Sequence, residues 1–444
     1  MIFNVLDYGA VPDGKVVCTS AIQKAIDDAA INGGQVLLTS GTYLSGSLRL
    51  RSNVDLHLEE GAVLLSSIDP KDQIDFLKDM EDDNPDTGWE GGCFLFAIHE
   101  KNITISGSGK IDGQGRHYFY DDDSDSGYHE CPLAVRGLRP RTTYFEDIEN
   151  LTVNDVTFYD SAFWTLHMAG CRDVLIQGVR ILNNERAANN DGIDPDSCQN
   201  VVIRDCIIRG GDDSIVIKTT RPITAKYGES RNIIIAGCVL KSRSCALKIG
   251  TETWGDIHHI ILSDCILEDC NRGFGIFSRD GGKIYDILIH DVTGNTRRFA
   301  DCTTRFTGIH LWWGKGDPFF ISAVRREKDG RVPGTIQNIV IHHIFVTCEG
   351  TAVIGGEEDA KVENITIQNS RFLWKRQSAH TPDCIDERPS WRGCYSHETP
   401  CLFVRYARNL CIDSDCFKID ENMLPYIHII REDESLTSWK NIGS

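Results

Sequence analysis

The sequence predicts an all-β protein built as a parallel β-helix, a solenoid with one helix at its N-terminal end. Three observations predict it. A short phrase of Asn or Asp followed by alternating aliphatic residues recurs along the chain, as in Asn53-Val54-Asp55-Leu56, Asn102-Ile103-Thr104-Ile105, Asn150-Leu151-Thr152-Val153, Asn200-Val201-Val202-Ile203, Asn232-Ile233-Ile234-Ile235 and Asn338-Ile339-Val340-Ile341. Apart from two long gaps the phrases repeat every 23 to 32 residues or roughly so, the period of a solenoid. Between the phrases no helical periodicity appears, so each unit is β-rich and buries its apolar face only when the next coil stacks on it. Finally, Cys206, Cys238 and Cys265 hold the same place in three successive phrases, which predicts an inward stack of small thiols in preference to a zinc site.

In chain order, Thr19 to Ala30 reads as a helix. Thr19 or Ser20 is placed to cap it, Ile22, Ala25, Ile26 and Ala29 form one apolar face, and Asn32-Gly33-Gly34 ends it. Residues 1–35 are expected to cover the open end of the solenoid, where unpaired backbone groups otherwise invite association. The Asn or Asp opening each phrase suits a turn and a side-chain ladder. Three stretches interrupt the period: Asp79 to Gly92, Arg116 to Cys131 and Lys375 to Pro400. Their aromatic residues, among them Trp89, Tyr118, Phe119, Tyr120, Tyr128, Trp391 and Tyr395, suit the walls of a binding groove. Leu402 to Ile430 reads as a last coil with a polar tail, and no linker divides the chain, so residues 1–444 are expected to form one domain.

The formal charge is −19, which disfavours nucleic acid and anionic membranes as partners. A local basic pocket still leaves an acidic sugar open as a ligand. No apolar run has the length of a membrane span. Met1 to Val5 shows neither a basic nor an apolar leader pattern, so a cytoplasmic location is expected. On that expectation the 17 cysteines read as reduced thiols.

The chemistry concentrates in Asn189-Asn190-Asp191-Gly192-Ile193-Asp194-Pro195-Asp196 and Gly211-Asp212-Asp213-Ser214-Ile215-Val216-Ile217-Lys218. One coil separates the two clusters, so Asp191 is expected beside Asp212 or Asp213. With lateral offset the carboxyl groups would stand roughly 6.5 to 9.5 Å apart, the spacing used to cleave a glycosidic bond with inversion. Crowding raises one carboxyl and leaves another ionised, which supplies an acid and a base. A calcium site or a solvated acidic turn is the alternative for such a cluster.

Phe3-Asn4-Val5 with Asp7-Tyr8-Gly9-Ala10, then Gly107-Ser108-Gly109-Lys110-Ile111-Asp112-Gly113, then Ser161-Ala162-Phe163-Trp164-Thr165-Leu166-His167 resemble shared phrases of pectinase-type β-helix proteins. With the two aspartate motifs, the chain resembles glycoside hydrolase family 28, the polygalacturonases and their relatives. The resemblance implies a right-handed β-helix and an inverting hydrolase with no cofactor or metal. It places catalytic roles on Asp191, Asp212 and Asp213, with Asp212 as general acid and the other two holding and deprotonating the attacking water. Asp194 and Lys218 are candidate sugar-binding or supporting groups.

Two departures bear on the substrate. Where polygalacturonases carry the histidine of Gly-His-Gly, Ser244-Cys245-Ala246 places Cys245. Where they carry Arg-Ile-Lys to grip a galacturonate carboxylate, Gly275 and Phe277 stand. A Gly and a Phe cannot pair a buried carboxylate. The expectation is therefore a subsite for a neutral or deoxy sugar such as rhamnose, with exo-action on pectin-related oligosaccharides. Lys248, Glu252, Arg272 and Arg279 are candidates for sugar contacts, and the basic ones offer an alternative carboxylate grip on oligogalacturonides. Trp312 and Trp313 are candidates for an aromatic platform. A lyase or epimerase on the same scaffold, or a non-catalytic carbohydrate-binding β-helix, are the competing readings. The oligomeric state is left open.

Overall fold

Alternating aliphatic residues in register along successive coils produce parallel stacking. In the computed structural model, residues 1–74, 92–120, 130–299, 312–381, 383–423 and 427–429 are described, with backbone alone at 431–432 and 439–441. One column runs through Val174, Val201, Ile233, Ile260, Ile287, Ile339 and Ile365, each opposite the next. All are buried, and each such side chain contributes about 1.5 to 3 kcal/mol by leaving water. A 12-stranded parallel sheet runs up one face, from Leu48–Arg49 through Leu166–Ala169, Ile193–Asp196, Ile215–Thr219, Cys245–Thr253 and Arg272–Ser278 to Arg431–Glu432. The architecture is the expected right-handed parallel β-helix.

The turns explain the recurrent Asn. Asn53, Asn102, Asn150, Asn200, Asn232, Asn338 and Asn364 all adopt positive φ between 55° and 64°, a region that Asn enters more readily than most residues. Their side-chain amides stack: Asn102 donates to Asn53 at 2.8 Å, Asn150 to Asn102 at 3.0 Å, and Asn364 to Asn338 at 3.0 Å. The thiol column forms as expected. Cys206, Cys238 and Cys265 are buried, and each Sγ donates to the carbonyl two residues earlier. The described cysteines are free thiols except Cys131, which is disulfide-bonded, so the expectation of a wholly reduced chain is corrected there.

The helix spans Thr19–Asn32 and buries Ile22, Ala25, Ile26 and Ala29. It packs on the first strands of the solenoid. Its capping differs from expectation. Cys18 is the N-cap and no side chain caps the end, because the Thr19 hydroxyl accepts the Gly46 N–H at 2.7 Å instead. Of the expected groove walls, residues 75–91 and 121–129 lie outside the described residues, Trp89 and Tyr128 among them. Among the described residues no helix is long and apolar enough to cross a membrane.

Candidate active site

Asp191 stands just before the strand Ile193–Asp196, and Asp212-Asp213 just before Ile215–Thr219. Ile193 lies opposite Ile215, and the Gly192 N–H donates to the Asp213 carbonyl at 2.9 Å. The two aspartate motifs therefore occupy adjacent coils. Both glycines are required by close approach. A Cβ on Gly192 would meet the Ser214 carbonyl oxygen at 2.3 Å, and one on Gly211 would meet that of Ala187 at 2.1 Å. Asn190 fastens the turn, its Oδ1 accepting the N–H groups of Gly211 at 2.9 Å and Asp212 at 3.2 Å. Buried Arg139 donates to the Ala188 carbonyl at 2.6 Å and to Asn189 Oδ1 at 2.9 Å. The Asn189 N–H in turn donates to Asp212 Oδ2 at 2.8 Å.

One oxygen from each of Asp191, Asp212 and Asp213 lies within 4.8 Å of the others. This is tighter than the expected 6.5 to 9.5 Å separation, because the groups converge from stacked coils, about 4.8 Å apart, with little lateral offset. A water making two hydrogen bonds of about 2.8 Å bridges oxygens up to about 5.6 Å apart, so the gap accepts one. The same spacing would suit a divalent cation; Lys218 and Lys248 supply part of the counter-charge.

The three carboxylates have different partners. Asp213 accepts the Ser244 hydroxyl at 2.8 Å, the Cys245 N–H at 3.1 Å and Lys248 Nζ at 2.7 Å. Asp212 accepts two backbone N–H groups, from Asn189 and from Asp213 at 2.9 Å, and it is the least buried of the three. Burial and the Asp213 charge push its carboxyl up. Asp191 Oδ2 lies 3.5 Å from Lys218 Nζ, while its Oδ1 is buried without a hydrogen-bond partner. Burial, then the charges of Asp212 and Asp194, push Asp191 well above the carboxylate range. Such crowded groups titrate together.

Lys218, Asp194 and Glu252 come together as one charged group behind Asp191. Lys218 Nζ lies 3.3 Å from Asp194 and 3.9 Å from Glu252, and 3.6 Å from the Trp164 ring centroid. Burial raises Asp194 to about 7 against the pull of Lys218. Burial opposes the charge of Glu252, yet Lys218, Arg326 and Lys248 overcome it and hold that carboxyl down to about 2. Trp313 is 36% exposed, with Lys248 Nζ 5.9 Å from its ring centroid, so it offers a platform beside the aspartates.

Three candidates serve elsewhere. Arg272 is buried, donating to Asp317 at 2.9 Å and to the Asp386 carbonyl at 2.8 Å. Arg279 is buried and donates to the carbonyls of Pro389 at 2.8 Å and Ser322 at 2.9 Å. Both fasten the 375–400 insertion to the solenoid, and neither presents a free carboxylate grip. Trp312 is 5% exposed and its Nε1 donates to the Glu130 carbonyl, so packing claims it. Cys245, at the place of the family histidine, turns its Sγ to the Leu247 carbonyl at 2.9 Å. Burial pushes its thiol well up. Phe277 is buried with Phe320, Val353, Ile385 and Phe403. Sequence reasoning missed Asn190, Arg139, Ser244 and Arg326 as supporting groups. Only Asn190 carried a signal, its place inside the first aspartate motif.

Comparison with known proteins agrees with this geometry. Residues 83–297 match the family Glycosyl hydrolases family 28, and residues 2–57 match Rhamnogalacturonase A/epimerase, pectate lyase-like. A probable polygalacturonase of Vitis vinifera is 32% identical over 224 residues, 49% of this chain and 44% of that protein. An exo-poly-alpha-D-galacturonosidase of Dickeya chrysanthemi is 28% identical over 254 residues, 48% of this chain and 41% of that protein. The chain thus spans less than half the length of these curated relatives. In fold it resembles a Yersinia enterocolitica family 28 exopolygalacturonase, with TM-score 0.74 at 18% identity over 100% of this chain and 79% of that one. It also resembles a Thermotoga maritima exopolygalacturonase, with TM-score 0.69 at 20% identity over 95% and 92%. By these matches, and by the aspartate motifs seated in adjacent coils, residues 83–297 are similar to glycosyl hydrolases family 28 at low identity.

Proposed function

We propose that the protein is an inverting, exo-acting glycosidase of pectin-related oligosaccharides, with an uncharged sugar in the subsite beside the cut. The observation that carries this reading is the division of roles among the three aspartates. Asp212 is partly exposed, has no ion-pair partner among the described residues, and is pushed toward its protonated form by burial and the Asp213 charge. It is the general acid to the leaving oxygen. Asp213, paired with Lys248, and Asp191 flank a gap of water size. Asp191 helps to hold the water that attacks from the opposite face, and Asp213 takes its proton.

Support for exo-action comes from the meeting of the insertions at Glu130. Its carboxylate lies 3.0 Å from Arg297 and 3.0 Å from His380, and its carbonyl takes the Trp312 N–H. The adjoining residues sit on the catalytic coils, with Arg186 Nε donating to the Cys131 carbonyl at 2.7 Å. Phe119 and Leu133 pack on Ala187 beside Gly211. Segments from both flanks of the cleft are thereby tied together, which suits a pocket closed at one end. Support for an uncharged sugar comes from the buried cluster around Phe277 and from the engagement of Arg272 and Arg279 with Asp317 and backbone carbonyls.

The relatives named polygalacturonases favour galacturonate as the alternative substrate, with exo-action unchanged. Digestion of pectic oligosaccharides followed by chromatography and ultraviolet absorbance tests the reading. Release of one terminal sugar at a time, without unsaturated product, is expected. A spread of intermediate lengths overturns exo-action, and an ultraviolet-absorbing product makes the protein a lyase.

A further inference from the structure

The position of the family histidine holds a buried thiol turned away from Asp213, and a lysine three residues later reaches that carboxylate. Cys245 is buried and its Sγ points at the carbonyls of Leu247 and Gly273, at 2.9 and 3.7 Å. Only its N–H serves Asp213. Lys248, on the same strand Cys245–Thr253, is 9% exposed and places Nζ 2.7 Å from Asp213 Oδ2. The next coil carries no side chain at the facing position. Opposite Lys248 stands Gly275, where a Cβ would meet the Phe277 ring at 2.5 Å and Cys245 Sγ at 3.1 Å. Asp213 thus has Oδ1 filled by Ser244 and Cys245, and Oδ2 turned to a cation whose stem runs under a glycine.

We propose, resting on the hydrolase reading above, that Lys248 is a positioning residue that replaces the family histidine: its ammonium holds the Asp213 carboxylate and aims it at the attacking water. Cys245, Gly275 and Lys248 form one compensated set, in which loss of the histidine is offset from the same strand and a side chain is removed from the coil above. The groups facing the Asp213–Lys248 pair are Asp191 and Asp194 from the preceding coil, Asp212 beside Asp213, and Lys218, Glu252, Cys245 and Arg272. The nearest of these charges to Asp213, Asp212 and Asp191, are negative, so Lys248 supplies the local positive charge. Although burial works against it, Asp213 and Glu252 keep the ammonium above its ordinary range, and it stays charged across any working pH.

Lys248→Met keeps the length of the stem and removes the charge, and Lys248→Arg restores a cation. On the substrate the wild type cleaves best, Lys248→Met should lower kcat at least 100-fold, with KM changed less than threefold. The acidic limb of its kcat/KM profile should move up by a pH unit or more, since the base then protonates more readily. Lys248→Arg should bring the limb back. A Lys248→Met enzyme with an unmoved limb, or one that loses KM alone, overturns the proposal and makes Lys248 a sugar-binding or packing group. If the wild type cleaves no glycan, the hydrolase reading has failed. The pair is then judged by carbon NMR titration of labelled aspartate carboxyls, where one carboxyl must titrate higher in Lys248→Met than in wild type, and an unchanged set overturns the pairing.

Discussion

Replacing Asp194 by Asn should remove a pH dependence that this carboxyl imposes on folding. Asp194 lies fully buried on Ile193–Asp196, and burial raises its carboxyl from the usual 3.8 to about 7 although Lys218 pulls the other way. Over that window the folded protein keeps a proton that the unfolded chain has lost, so stability falls as the pH rises. Between pH 5 and 8, at 1.36 kcal/mol per pH unit, the loss amounts to about 3 kcal/mol. Glu252 acts with the opposite sign. Its lowered carboxyl contributes stability that is complete above its usual 4.5 and disappears toward about 2, so it is constant in this window. Asp191 and Asp212 titrate in both proteins, and in Asp194→Asn the Asp191 carboxyl loses only the part of its rise that the Asp194 charge supplies. Urea unfolding at pH 5, 6.5 and 8, followed by far-ultraviolet circular dichroism, measures the effect. Asp194→Asn should gain about 3 kcal/mol on the wild type between pH 5 and 8. Parallel pH–stability curves for the two proteins would refute the reasoning, because an ordinary carboxyl there has nothing to lose.

Other expectations follow from the same geometry. Asp212→Asn should lower kcat by about 10²- to 10⁴-fold, the range for loss of a positioned general acid, while the substrate still binds; equal turnover contradicts the assignment. Trp313→Ala should raise KM roughly two- to tenfold through lost stacking, whereas Trp312→Ala, at a buried site, should cost about 3 to 5 kcal/mol of stability. Titration with substrate and thermal melts separate the two outcomes. Brief alkylation of the native protein should label exposed Cys394 and spare buried Cys245, and mass spectrometry of the digested protein reads the sites.

Much of the fold was legible because one physical constraint repeats. A left-handed turn residue every coil admits Asn or Asp, and the inward strand positions admit aliphatics, so both columns appear in the sequence at the solenoid period. The thiol column followed from the same register. The aspartate cluster was legible because its glycines and acids adjoin in sequence. The spacing of its oxygens was not, since it depends on how squarely two coils stack, and that is fixed by the Gly192 and Gly211 contacts with backbone of other segments. Arg272 and Arg279 were misread for a related reason. A basic residue near a site looks like a ligand group until the fold brings the Asp317 carboxylate and the carbonyls of Asp386 and Pro389 to its donors. Arg139 and Arg326 were missed because their partners lie far away in the chain, with Asn189 50 residues from Arg139.

The most direct test of the central claim, inversion by three aspartates at a subsite for an uncharged sugar, is proton NMR of the first product. It is run on a paired set of oligogalacturonides and neutral pectin-derived glycosides. A newly formed sugar of the opposite anomeric configuration, released from the neutral set alone, is the expected result. Product that keeps the configuration of the substrate would contradict the water held between Asp191 and Asp213. Inverted product from oligogalacturonides alone would leave the aspartate chemistry standing and contradict the subsite.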